Sequence, residues 1–169
     1  TTSTSGTAVF ANAPTSTSNA TTYSLTYSSG LSSINYAFNA ASNAVDYVVN
    51  KATLTVTADN QTRVYGDSNP TLTYVISGYV NSQNLGSSGV TGTPTISTTA
   101  TAGSGVNTYT ISAAANNLAA TNYQFSYVNG TLTVNRRPVT VTADAKTKIY
   151  GDANPTLTYT VAADGTGTS

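Results

Sequence analysis

The chain has 169 residues, with six Lys+Arg against six Asp+Glu, no His, Cys, Met or Trp, and 7% charged residues where about 25% is usual. Without His or Cys there is no thiolate nucleophile, no imidazole base and no ordinary zinc site, and a Ser-His-Asp arrangement is impossible. Sparse, balanced charge offers no basic stripe for nucleic acid, and no apolar run approaches the ~20 residues of a membrane span.

All six acids are Asp, and the hydrophobic fraction of 38%, with 12 Tyr, alternates with polar residues. That pattern predicts a folded, all-β, extracellular chain rather than disorder, in which disulfides are not the staple. No signal peptide precedes Thr1, which reads as a leader removed or as a piece of a longer protein.

In chain order, the first third is best read through its echoes. Gly6-Thr7 recurs as Gly92-Thr93 and Tyr23 of TTYSLTY as Tyr109 of NTYTIS, 86 residues on. Asn35-Tyr36-Ala37-Phe38 recurs as Asn122-Tyr123-Gln124-Phe125, and Val49-Asn50-Lys51 as Val134-Asn135-Arg136, at offsets of 87 and 85. Ala44 to Val49 stands where the later copy has VNGTLTV.

Leu54 and Val56 then alternate with Thr53, Thr55 and Thr57, and Leu72, Tyr74 and Ile76 alternate with Thr71 and Thr73. Period two marks half-buried strands, and threonine suits their wet face because β-branching favours strands while the hydroxyl stays solvated. Val80 to Leu85 has room for one short helical turn. Tyr109 and Ile111 make a further strand; Tyr123, Phe125 and Tyr127 share one face of the next, and Asn129-Gly130 turns the chain into Leu132 and Val134. The chain then runs through Asn135, Arg136 and Arg137 into Pro138 with no Gly/Ser linker, which predicts stiff coupling between successive units.

The strongest repeat is KATLTVTADNQTRVYGDSNPTLTY against RRPVTVTADAKTKIYGDANPTLTY, which sets Tyr65 on Tyr150, 85 residues on. One complete repeat therefore spans 51–135, preceded by the back part of a repeat in 1–50 and followed by the front part of another in 136–169. Six or seven strands per 85 residues predict tandem immunoglobulin-like β-sandwich repeats. A grasp-like sheet around a short helix is the alternative.

Half a β domain buries too little to stand alone, so the two end pieces are expected to complete each other. Closure within one molecule gives a compact pair of domains. Closure between neighbouring copies gives a head-to-tail fibre, and that is the expectation here.

The segments Tyr65-Gly66-Asp67-Ser68-Asn69-Pro70 and Tyr150-Gly151-Asp152-Ala153-Asn154-Pro155 resemble the YGD signature of bacterial MBG repeats, as do the flanking LTVTAD, NTYTIS and NYQFSYVNGTLTV. The resemblance implies mostly-β, glycine-rich domains arranged in tandem in large secreted surface proteins, where they serve as stalk or spacer. It carries over no catalytic residues and implies an extracellular or cell-surface location.

Within the motif, Gly66 and Gly151 supply positive φ, Asp67 and Asn69 bond nearby backbone N–H groups, and Pro70 and Pro155 restrain the exit. Tyr65 and Tyr150 are expected to pack on the sandwich edge or a neighbouring domain. The competing reading is a calcium site at the joint, drawing on Asp59 and Asp67 and their repeats Asp144 and Asp152. No DxDxDG loop accompanies them. A Lys–Asn isopeptide bond is disfavoured, because Lys51, Lys146 and Lys148 face Arg136, Gln61 and Arg63 in the other copy.

The expected function is thus a non-enzymatic building block of a fibre or tandem-repeat adhesin. Its partner is itself, head to tail, and its neutral surface favours bundling that depends little on salt. A carbohydrate- or host-protein-binding module is the alternative, which a concave cluster of exposed tyrosines would favour.

Overall fold

The computed structural model describes residues 4–163, so the parts of the two end pieces at 1–3 and 164–169 lie outside the described residues. Twelve strands follow in order: β1 (Ser5–Ala11), β2 (Thr22–Ser32), β3 (Val45–Val48), β4 (Ala52–Ala58), β5 (Gln61–Val64), β6 (Tyr74–Ser77), β7 (Thr95–Thr98), β8 (Asn107–Ala114), β9 (Tyr123–Val128), β10 (Gly130–Asn135), β11 (Val139–Ala143) and β12 (Tyr159–Ala163). The fold is all-β. No helix occurs among the described residues, which removes the grasp-like alternative; the stretch at 80–85 holds turns instead, one closed by Gln83 N–H on the Val80 carbonyl at 3.1 Å.

The strands form sheets in the orders β1-β2-β3, β6-β4-β9, β5-β10-β8-β7 and β11-β12. Strand alternation is realised directly. In β4, Leu54, Val56 and Ala58 are buried while the threonines between them are part-exposed; in β10, Gly130, Leu132 and Val134 are buried.

Two compact units interleave along the chain. One comprises Thr1–Thr55, Ile76–Thr93 and Asn116–Ser126; the other comprises Val56–Val75, Pro94–Ala115 and Tyr127–Ser169. In the second unit, Ala58, Ala100, Ile111, Ala113 and Leu132 form a core against which Leu72, Ile96, Tyr109 and Tyr127 pack. Ala58 and Tyr127 come from the sheet of β4, the others named on strands come from the sheet of β8 and β10, and their facing layers make the arrangement sandwich-like.

In the first unit, Tyr123 is fully buried, its ring edge-on to Tyr79 with centroids 6.1 Å apart. Its hydroxyl donates to Gln83 Oε1 at 2.5 Å and accepts from Val80 N–H at 3.2 Å. Asn122, beside it, accepts from Ala20 N–H at 2.8 Å and donates to Asn19 Oδ1 at 3.0 Å, so a side chain next to β9 fastens the 19–20 segment.

One expected turn has a different role. Asn129-Gly130 does not close a hairpin, because β9 and β10 belong to different sheets; it carries the chain across the sandwich. Glycine is required there by close approach, since a Cβ on Gly130 would lie 2.5 Å from the Ala58 carbonyl oxygen. Asn129 Oδ1 accepts from Ala113 N–H at 3.0 Å and Asn60 Oδ1 from Thr131 N–H at 2.8 Å, holding both ends of the crossing.

Candidate functional site

The repeated YGD loop is a local structure that forms in both copies. Gly66 and Gly151 sit at φ 88° and 95°, where a side chain is strained. The same bond closes each turn: Asp67 N–H to the Val64 carbonyl at 3.2 Å, and Asp152 N–H to the Ile149 carbonyl at 3.1 Å.

What surrounds the loop differs between the copies. In the complete repeat, Arg63 is buried, with Nε donating to Asn69 Oδ1 at 2.9 Å, Nη1 to the Val64 carbonyl at 3.2 Å, and Nη2 to the Thr101 carbonyl. Asn69 Nδ2 in turn donates to the Ala100 carbonyl at 2.6 Å. Guanidinium and amide thus tie the loop to the 100–104 turn through a converging set of acceptors, which is why a charged side chain is tolerated inside. Arg137 also reaches the loop, donating from Nε to the Tyr65 carbonyl at 2.7 Å and pairing with Asp67.

In the second copy, Lys148 replaces Arg63 and is exposed, with Nζ 3.2 Å from the Asp152 carbonyl. Tyr150, expected to pack, is fully exposed at 102%; no element of its own copy's back half is there to receive it. Tyr65 is only part-exposed. Pro70 and Pro155 close their loops without entering a strand.

The four aspartates considered for calcium are placed in other roles. Asp59 Oδ2 accepts from Thr73 Oγ1 at 2.6 Å, and Asp144 accepts from Thr158 Oγ1 in the same way. Asp67 pairs with Arg137. Among the described residues no three carboxylates gather.

Sheet registers place the end pieces within the repeat. In the complete repeat, Ile96 faces Ala113 in β7-β8, and Tyr109 faces Leu132 in β8-β10. In the first 50 residues Phe10 faces Tyr27 and Tyr23 faces Tyr47, the same pairs at offsets of 85 and 86. So β1-β2-β3 reproduces β7-β8-β10 and lacks a counterpart of β5. Strands β11 and β12 likewise reproduce β4 and β6 and lack a counterpart of β9.

The missing strands leave the corresponding side chains in water. Leu54 and Val56 are 0% exposed, whereas Val139 and Val141 at the same places are 53% and 63% exposed. Leu132 is 0% exposed and its counterpart Tyr47 is 51% exposed. Residues 146–149, which match β5, are not a strand, and Ile149 is 76% exposed.

Three features escaped the sequence reading: the parallel pair β5-β10, the burial of Arg63, and the Asn122 fastening. The signal for the second lay in the alternation of QTRV, which puts Arg63 on the same face as Gln61, and in its pairing with Asn69 six residues on.

The family model described as MBG domain (YGX type) matches residues 54–133 and again 139–168. These matches cover more than half of the chain, which therefore belongs to that family, one of surface-protein repeat modules. No curated protein and no solved structure matches the chain.

Proposed function

We propose that this MBG-domain chain is a structural building block, a stalk or spacer, of an extracellular bacterial fibre or tandem-repeat adhesin serving cell adhesion or a biofilm matrix. Copies join head to tail, each completing the neighbour's incomplete repeat. The role is mechanical rather than catalytic.

The observation that carries this reading is the paired exposure: positions sealed in the complete repeat stand open in both incomplete ones, and the two incomplete ones are complementary. A front piece offering β11 and β12 and a back piece offering β1-β2-β3 together supply what one sandwich holds. Because the same surface never meets itself, the contact is heterologous and propagates instead of closing as a dimer. Net charge of zero and the Thr-rich faces allow completed filaments to approach one another without strong repulsion.

The exposed tyrosines give no separate support to a sugar-binding reading. Tyr47, Tyr150 and Tyr159 are exposed at positions that the complete repeat covers, so the missing partner accounts for them.

Light scattering across a concentration series tests the proposal. The expected result is a mass that climbs through successive multiples of the monomer; a chain that remains monomeric into the millimolar range refutes it. The fully denatured mass of native fibres then distinguishes a 169-residue subunit from one long polypeptide that contains this repeat many times.

A further inference from the structure

In the complete repeat, β5 adds to β10 in parallel, with Leu132 opposite Gln61, Thr133 opposite Thr62, Val134 opposite Arg63 and Asn135 opposite Val64. The counterpart of β10 is β3, an edge strand with all four residues exposed. The counterpart of β5 is the segment at 146–149, which has no strand partner of its own.

We propose that the open edge of β3 receives residues 146–149 of a second copy as a parallel strand, with Tyr47 opposite Lys146, Val48 opposite Thr147, Val49 opposite Lys148 and Asn50 opposite Ile149. This rests on the head-to-tail reading above and specifies its contact. The occupant is a second copy because the chain's own repeat fixes both partners: β3 holds to β2 in the register that β10 keeps with β8, so its outer edge presents the groups that β10 offers to β5.

A second pair of groups aligns with the first. The turn at 15–18 duplicates the one at 101–104: Thr15 N–H donates to Ser18 Oγ at 2.8 Å and Ser18 N–H to the Thr15 carbonyl at 3.1 Å, against 2.9 Å and 2.9 Å in the later copy. The carbonyls of Thr15 and Pro14 therefore stand in the places of Thr101 and Ala100, which accept from Arg63 and Asn69. In the joined pair, Lys148 of the arriving strand donates to the Thr15 carbonyl and Asn154 to the Pro14 carbonyl.

Lysine is a single-point donor, whereas Arg63 spans three acceptors with a rigid fork. The link between copies is accordingly looser than the same link inside the complete repeat. Strand addition supplies the backbone bonds, as in other β-augmented contacts, and the lysine sets how tightly they hold.

The chain has no cysteine, so engineered thiols report without background. Val48→Cys chains are mixed with Thr147→Cys chains carrying a small mass tag, and disulfide-linked heterodimers are followed under a glutathione redox buffer. Cα atoms of directly opposed strand residues fall within disulfide reach, while a shift of two residues adds about 6.6 Å along the strand. Val48→Cys with Thr147→Cys is expected to couple at least tenfold faster than Val48→Cys with Ile149→Cys.

Equal coupling by both pairs, or by neither while the unmodified chain still assembles, overturns the parallel register and leaves the fibre reading standing. An unmodified chain that stays monomeric overturns both. A second variant needs no thiol: Lys148→Arg is expected to bring assembly to about tenfold lower concentration, and an unchanged midpoint refutes the anchor.

Discussion

Val56 and Val141 occupy the same place in two copies of the repeat, one 0% and the other 63% exposed, so Val→Ala at each separates burial within a copy from burial between copies. Removing two methylene equivalents from the sealed Val56 site forfeits about 1.6 kcal/mol of transfer free energy, and the cavity left behind raises the cost to about 2–3 kcal/mol. At Val141 in dilute solution roughly a third of that area is covered, and the cost falls to about 0.5 kcal/mol. When a second copy covers β11, the Val141 site acquires the Val56 environment and the difference returns as lost association. About 2 kcal/mol raises the assembly midpoint by roughly thirtyfold. Urea unfolding of dilute chains measures the first two quantities and sedimentation over a concentration series measures the third. A Val141→Ala chain that assembles like the unmodified one, or that loses as much stability in dilute solution as Val56→Ala, refutes the complementation argument.

Arg63→Lys converts the loop anchor to its counterpart in the other copy and should lower stability by about 1–3 kcal/mol, because the carbonyl of Thr101 and the amide of Asn69 lose their shared donor; chemical denaturation reads it. Tyr123→Phe removes the hydroxyl that serves Gln83 and Val80 and should cost about 1–2 kcal/mol while leaving the ring contact with Tyr79 in place, which near-ultraviolet circular dichroism follows alongside the melt. Millimolar calcium or a chelator should leave the thermal midpoint unchanged, since Asp59, Asp67 and Asp144 are engaged by Thr73, Arg137 and Thr158; a rise of several degrees with calcium would reinstate the joint as a cation site.

The buried faces were legible because alternation encodes them: Leu54, Val56, Leu132 and Val134 were assigned inward from their threonine neighbours alone, and all four are sealed. Alternation says which face a residue takes but not which strand lies beside it. The Asn129-Gly130 dipeptide therefore read as a hairpin turn, although the same residues suit a crossing between layers where the Ala58 backbone presses close. The parallel pair was invisible for a related reason: β5 and β10 are joined through five intervening strands or turns of sheet, and nothing local marks their meeting. Arg63 was hidden because its burial depends on carbonyls contributed by the 100–104 turn, which no window around residue 63 contains. Tyr150 was expected to pack like its partner; what the repeat predicts for it holds only where the rest of a sandwich is present.

The two incomplete copies also differ from the complete one in a way that bears on how they would join. What each keeps is antiparallel: β1 with β2, β2 with β3, and β11 with β12. What each lacks is the parallel pair, since β3 has no β5 counterpart beside it and residues 146–149 have no β10 counterpart. Antiparallel neighbours close through short connections, whereas a parallel pair must wait for a strand distant in sequence or in another chain. The YGD turn forms in both copies without that pair, so the segment preceding it is already punctuated at its far end before any partner arrives. Less backbone entropy is then lost on strand addition than a free tetrapeptide would lose, and an edge that would otherwise be an indiscriminate aggregation hazard is matched to one segment in one register.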